Sequence, residues 1–244
     1  MNASEIELEK LRSHIQPDGD GKVHLAVFDF DGTCIRGNSP VVLVRYLAFR
    51  GLIALGPVLR LIGWAARYKF HLSQEEAFAR QQVFTAFRGK PKDEVDQFLR
   101  KFCEERILPR FRPEAHEAML AHIEAGHAVM CVSATFEPIM KRVMESQPIQ
   151  YQVSTRMQVD NDGRYTNQVE GLPVEGAEKV NALKRLADDA FGEGNWVFDW
   201  AYADHYSDYE LLSKANNPYA VCPKPTLARM AKEEGWPILE WREP

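Results

Sequence analysis

The run HLAVFDFDGT, from His24 to Thr33, limits the possible folds more than any other stretch. Leu25, Ala26, Val27 and Phe28 follow one another without polar alternation, the pattern of a central parallel strand covered on both faces. Two carboxylates, Asp29 and Asp31, close the run. Gly32-Thr33 then turns the chain at the strand's carboxyl end, where open α/β sheets place their ligands. Like charges about 4 to 5 Å apart repel by roughly 3 to 4 kcal/mol at an effective dielectric of about 20. A hard cation, a shared proton, or both must offset that repulsion. One use of such a pair is an aspartate nucleophile beside a second carboxyl that donates a proton. An ordinary Asp-Gly turn after a strand is the alternative.

A chain of 244 residues with 45% hydrophobic content holds one large α/β domain, or a core with a smaller insert. Its net charge of −5 offers no basic excess for nucleic acid. Cys34, Cys103, Cys131 and Cys222 are far apart, form no CxxC or Cys/His pair, and read as reduced thiols of a cytoplasmic protein. The polar start MNASEIELEKLRSHIQPDGDGK lacks the basic and apolar regions of an export signal. Pro40 to Phe70 is the most apolar segment, but Arg45, Arg50, Arg60 and Arg67 divide it, and its longest uncharged run, Gly51 to Leu59, is too short to span a bilayer.

Taken in order, residues 4 to 15 read as a short helix, and Asp18 and Asp20 as turn residues, since the remaining ligand positions of a calcium loop are missing. Five helices are expected after Thr33. The first starts at Ser39-Pro40, a hydroxyl N-cap with proline at the first helical position. The second runs from Leu52 to Lys69, with a kink at Gly56-Pro57; the third starts at the capping box Ser73 to Glu76 and reaches Phe87. The fourth covers Pro91 to Ile107 and the fifth Pro113 to Ala125. Helices inserted after a first strand without alternating strands form a separate small bundle, a cap over the carboxyl ends of the sheet.

Strand and helix alternation resumes at His127 to Ser133, followed by a helix from Glu137 to Glu145. Tyr151 to Gln158 and Tyr165 to Glu170 flank Asp160-Asn161-Asp162-Gly163 as a hairpin. Helices are expected over Ala177 to Asp189, Asp208 to Leu212 and Thr226 to Glu234, and strands over Trp196 to Tyr202, Tyr219 to Val221 and, at an edge, Ile238 to Trp241. Three strands therefore end in polar groups that can meet at one mouth: Asp29 and Asp31, Ser133, and Asp204. Lys179 lies near the start of a helix whose other face, Val180, Leu183 and Leu186, is apolar. Each has a structural alternative: a strand-closing serine, an N-capping Asp204 with Asp208 opposing the helix dipole, a solvated lysine.

Acids, hydroxyl and lysine nevertheless occur in the order that a right-handed crossover sheet brings to one mouth. In this the sequence resembles the haloacid dehalogenase (HAD) superfamily. DFDGT (Asp29 to Thr33) is similar to that family's first motif, VSA (Val132 to Ala134) to its second, the lysine of GAEKVNAL (Gly176 to Leu183) to its third, and ADHYSD (Ala203 to Asp208) to its fourth. The helical insert resembles the C1-type cap of the phosphoserine phosphatase-like branch, subfamily IB. Within it, GTCIRGNSPVVLVRYLAFRG looks most like a bacterial subgroup that includes phosphatidylglycerophosphatase C.

The resemblance implies a Rossmann-like three-layer α/β/α parallel-sheet core over residues 1–37 and 121–244, with a helical cap over 38–120. It implies a Mg2+-dependent phosphomonoester hydrolase in which Asp29 is the nucleophile and Asp31 the general acid and base. Ser133, Ala134 and Lys179 would hold the phosphoryl group. Asp29, the Asp31 backbone carbonyl, Asp204 and a supporting Asp208 would hold the metal. Where phosphoserine phosphatases are similar in carrying a glutamate for the substrate ammonium, this chain has Asn38, which argues against phosphoserine. His205 and Ser207 also depart from the branch's metal loop. Two other readings stand beside a small phosphorylated metabolite as substrate. One is a lipid phosphate, met through peripheral membrane contact by Leu52, Ile53, Leu55 and their neighbours with the four arginines. The other is a non-catalytic phosphate- or protein-binding module.

Overall fold

In the computed structural model, which describes residues 3–51 and 83–242, the apolar run becomes strand β1 (Val23–Phe28) near the centre of a six-stranded sheet. The others are β2 (Ala128–Phe136), β3 (Tyr151–Thr155), β6 (Trp196–Ala203), β7 (Asn217–Val221) and β8 (Ile238–Leu239). Their order is β3-β2-β1-β6-β7-β8, and every neighbouring pair is parallel. The helices are α1 (Ala3–Arg12), α2 (Ser39–Phe49), α3 (Lys92–Phe102), α4 (Pro113–Glu124), α5 (Glu137–Met144), α6 (Ala177–Phe191), α7 (Tyr209–Lys214) and α8 (Pro225–Glu234).

Alternate residues of the central strands feed two different cores, which is why neither strand shows polar alternation. Leu25, Val27, Ala128, Met130 and Val132 share one core with Ala182, Leu183 and Ala187 of α6 and Leu211 of α7. The intervening Ala26, Phe28, Val129 and Cys131 share the other with Met119 and Ile123 of α4 and Ile139, Met140 and Val143 of α5. The result is the three-layer α/β/α sandwich expected. The second core continues without interruption into Leu43 and Leu47 of α2 and Leu99 and Phe102 of α3, all fully buried.

The insert departs and returns through two adjacent linkers. Arg36 N donates to Arg110 O at 2.9 Å and Arg112 N to Cys34 O at 2.8 Å. A separate antiparallel hairpin, β4 (Met157–Val159) and β5 (Tyr165–Val169), fastens the insert again: Gly89 N donates to Tyr165 O, Tyr165 N to Lys90 O and Lys92 N to Gly163 O. The Tyr165 hydroxyl reaches Asp96 of α3 at 2.6 Å. At the other end, Arg112 Nη1 donates to the carbonyls of Trp241 and Arg242, and Cys222 N to Leu239 O.

Several expectations need correction. Tyr151 to Gln158 is not one hairpin strand: Tyr151–Thr155 joins the main sheet and the chain restarts at Met157, because one register cannot serve both sheets. The helix expected to Ile107 ends at Phe102, passes through a π-turn (Cys103–Ile107) and closes in a 3-10 turn (Leu108–Arg110) whose Pro109 has no N–H to continue the ladder. Ser39 is not the N-cap of α2. Asn38 is, its side chain accepting from Val41 N at 3.1 Å. Asp18 behaves as the expected turn residue, its Oδ1 accepting from the backbone N of Asp20 and Lys22 at 2.9 Å. The expected helix Leu52 to Lys69, the Gly56-Pro57 kink, the capping box at Ser73 and the apolar and arginine face beyond Gly51 lie outside the described residues.

Candidate active site

The three strand ends converge because β2, β1 and β6 are neighbours in the sheet. Asp29, Asp31, Ser133, Ala134, Lys179, Asp204 and Asp208 line one cavity of ≈ 110 Å3, together with Asn38, Glu175, His205 and Lys224. All seven residues expected from the sequence are thus brought together. The strand end itself is tied down, Asp29 N donating to Tyr202 O of β6 at 2.9 Å. Gly32, at φ 85°, takes a backbone conformation that strains any residue with a side chain. It also leaves room: a Cβ there would stand 2.1 Å from Asp204 Oδ2.

Lys179, in the first turn of α6, is 5% exposed. Its Nζ lies 2.6 Å from Asp29 Oδ1 and 2.6 Å from Asp208 Oδ1. Burial works against its charge, but the two carboxylates outweigh burial and hold it protonated above the usual lysine range. Asp29 shares that single cation with Asp208, so burial dominates and raises its carboxyl to about 6 despite Lys179. Asp204 is pushed well above the carboxylate range, first by burial and then by Asp29. Lys224 Nζ stands 3.7 Å from Asp204 Oδ2 at the pocket's rim.

Carboxylate oxygens of Asp29, Asp204 and Asp208 lie within 4.8 Å of one another, all three residues buried. An all-oxygen set of this density beside one ammonium is the donor chemistry of a hard divalent cation. The residues therefore fit magnesium. The side chain of Gly32 that is missing would collide with a member of this set.

Asp31 is held differently. Its Oδ1 accepts from Ser39 N at 2.6 Å, and its Oδ2 accepts from Ser39 Oγ at 2.9 Å and Thr135 Oγ1 at 2.7 Å. Burial raises its carboxyl to about 6, against the pull of these donors. Sequence reasoning did not find Ser39 or Thr135; the hydroxyl two residues beyond Ser133 was the available signal. His205 and Ser207 leave the carboxylates in place. His205 Nδ1 accepts from Ser207 N at 3.3 Å and lies 2.8 Å from Ser207 Oγ, which assigns the ring proton to Nε2. Burial lowers that imidazole to about 4, so it is neutral.

A parallel sheet covered by helices on both faces, with its polar groups gathered at the carboxyl end of the central strand, places the protein among the doubly wound α/β proteins whose ligands bind at that edge. More narrowly, the model of the haloacid dehalogenase-like hydrolase family matches residues 26–213, and the chain belongs to that family. Its relatives include a histidinol-phosphatase of Neisseria meningitidis, 29% identical over 90% of this chain and 99% of the relative. Another is the phosphoserine phosphatase SerB1 of Mycobacterium tuberculosis, 27% identical over 89% of this chain and 70% of its own. Among solved structures, a protein of unknown function from Bordetella pertussis superposes with a TM-score of 0.76 at 24% identity, covering 90% of this chain and 99% of that one. A phosphoserine phosphatase solved as a phospho-aspartyl intermediate analogue superposes at 0.60 and 22% identity, covering 91% and 95%. These structures establish the fold.

Proposed function

We propose that the protein is a magnesium-dependent phosphatase that hydrolyses small phosphomonoesters through a phosphate ester on Asp29. The observation that carries this reading is the Lys179 ammonium bridging Asp29 and Asp208 beside Asp204, in a buried pocket that Ser133 and Asp31 also line. Asp29 and Asp204, with the Asp31 backbone carbonyl and support from Asp208, would hold the cation. Bound there, magnesium supplies positive charge against the acids and polarises phosphoryl oxygens.

In the first step Asp29 attacks phosphorus, the bond to the leaving oxygen breaks, and Asp31 gives its proton to that oxygen. In the second, water attacks the same phosphorus, Asp31 takes the water's proton, and the bond to Asp29 breaks. Asp31 ends as it began. Lys179 and Ser133, with the backbone at Ala134, hold the phosphoryl oxygens as charge builds on them. The insert expected over residues 38–120 would act as a cap that excludes water from the mouth, except for its last residues, which begin α4 and pack against the sheet. All four cysteines are free thiols, which suits the reducing cytoplasm. Among the described residues no helix is long and apolar enough to cross a membrane.

The test is a screen in magnesium against histidinol phosphate and phosphoserine, the esters that the relatives' names specify, with other small phosphomonoesters and phosphatidylglycerophosphate, and Asp29→Asn as the blank. Wild-type turnover by Asp29→Asn would overturn the nucleophile. Asp31→Ala is expected to trap labelled phosphate on Asp29 when leaving groups are good, and an absence of label from both wild type and Asp31→Ala would overturn the two-step route.

A further inference from the structure

The contact that the sequence did not predict is the triangle of oxygens around Asp31. Ser39 Oγ and Thr135 Oγ1 lie 2.8 Å from each other, and each lies within hydrogen-bond distance of Asp31 Oδ2. Ser39 N occupies Oδ1. Both hydroxyl residues are fully buried, 96 residues apart in the chain. Thr135 reaches the site because β2 carries extra residues there: its register on β3 passes from Ser133 opposite Ser154 directly to Phe136 opposite Thr155. A bulge of this kind re-aims a side chain at the end of a strand. Ser39 reaches it from the other side, as the first residue of α2, once Asn38 has taken over capping.

We propose that Ser39 and Thr135 are positioning residues that fix the Asp31 carboxyl for proton transfer, one supplied by the helical insert and the other by the sheet. The inference rests on the proposed role of Asp31. A carboxyl that gives a proton in one step and takes one in the next needs partners that suit both forms. A fixed N–H or ammonium can only donate. A hydroxyl rotates, donating to the carboxylate and accepting from the carboxylic acid without any heavy atom moving. Two hydroxyls and one N–H therefore hold Asp31 in a single orientation through the cycle. Because Ser39 begins α2, that orientation also depends on the seating of the insert. Ser133 is oriented by the same bulge, its Oγ accepting from Thr135 N at 3.0 Å, and Thr135→Val keeps that backbone bond.

The experiment compares kcat/KM for an alkyl phosphate and for p-nitrophenyl phosphate. An alkoxide needs a proton to leave, whereas nitrophenolate does not, so a misplaced acid slows the alkyl ester more. Thr135→Val and Ser39→Ala are expected to raise the aryl-to-alkyl ratio of kcat/KM about tenfold or more. Thr135→Ser, which restores the hydroxyl, is expected to bring the ratio back. Asp31→Asn serves as the reference. If it raises the ratio and Thr135→Val and Ser39→Ala do not, the positioning role is overturned while the role of Asp31 stands. If Asp31→Asn leaves the ratio unchanged, the proposed role of Asp31 fails and this inference fails with it. An equal loss on both esters in the hydroxyl variants indicates general damage to the site and also overturns the proposal.

Discussion

Gly32→Ala separates two demands that one glycine meets. The first is the backbone: φ of 85° costs a residue with a Cβ about 1–2 kcal/mol. For a chain of this length that is a fall in Tm of about 2–8 °C. The second demand is space. The added carbon would stand 2.1, 2.4 and 2.7 Å from Oδ2, Cγ and Oδ1 of Asp204. Non-bonded contacts need about 3.5 Å, so the carboxylate must retreat by roughly 1 Å, and a misplacement of about 1 Å at a reacting centre costs on the order of a hundredfold in rate. Gly163 provides the control, with φ 73° in the β4–β5 turn and nothing within 4 Å of a built Cβ. Gly163→Ala is expected to lose Tm alone. Gly32→Ala is expected to lose a similar Tm and about a hundredfold in kcat, with magnesium titration showing weaker activation. Phosphatase activity within threefold of wild type in a folded Gly32→Ala protein would refute the crowding argument, and with it the placing of Asp204 in the functional set.

Asp29 is raised by burial from 3.8 to about 6, so its contribution to stability is complete below pH about 4 and is lost as pH rises through about 6. Asp29→Asn is therefore expected to raise the Tm of metal-free protein at pH 7.5 and not at pH 4.5; melts in chelator showing the same change at both would count against it. His24 is raised above 6.5, first by its bond to Asp199 and then by Asp18, against burial. The stability it gains from Asp199 is complete below pH about 6.5 and is lost as pH rises through the raised value. Denaturant midpoints should show Asp199→Asn destabilising more at pH 5.5 than at pH 9, and equal losses would contradict the assignment. Tyr165→Phe removes the 2.6 Å bond to Asp96 that helps fasten the insert to the hairpin. A fall in Tm of about 2–4 °C with kcat retained is expected, from a bond worth about 1 kcal/mol, and an unchanged Tm would show the hairpin's backbone bonds to be sufficient.

What was legible in the sequence was local. The apolar run before Asp29, the strand ending in Ser133 and the lysine at the head of an amphipathic helix each carry their signal within about ten residues, and sheet order brings them together. What was not legible depends on contacts made across the chain. Ser39 before Pro40 has every mark of an N-cap, and only the neighbouring Asn38, taking that role, frees its hydroxyl for Asp31. Thr135 requires a bulge that alternation does not encode. The pairing of His24 with Asp199 likewise follows from a register shift, Leu25 facing Phe198 and Ala26 facing Trp200, which skips Asp199 in the ladder. Tyr151 to Gln158 reads as one strand because nothing in its pattern marks where one sheet gives way to another.

The short segment that follows β8 has a reach out of proportion to its length. Behind β1, Phe28 stacks on Tyr202 at 4.3 Å, Tyr202 on Tyr219 at 5.0 Å, and Trp241 adds a further ring 6.1 Å from Tyr202. Trp241 and its neighbour Arg242 also give the buried Arg112 its carbonyl acceptors, at the joint where the insert rejoins the sheet. Cutting the chain after Pro237 would strand that guanidinium and loosen the rings beneath Asp29 together. Damage at the molecule's rim would thus disarm the pocket from behind and from above, an outcome that limited carboxypeptidase digestion followed by a turnover assay would register.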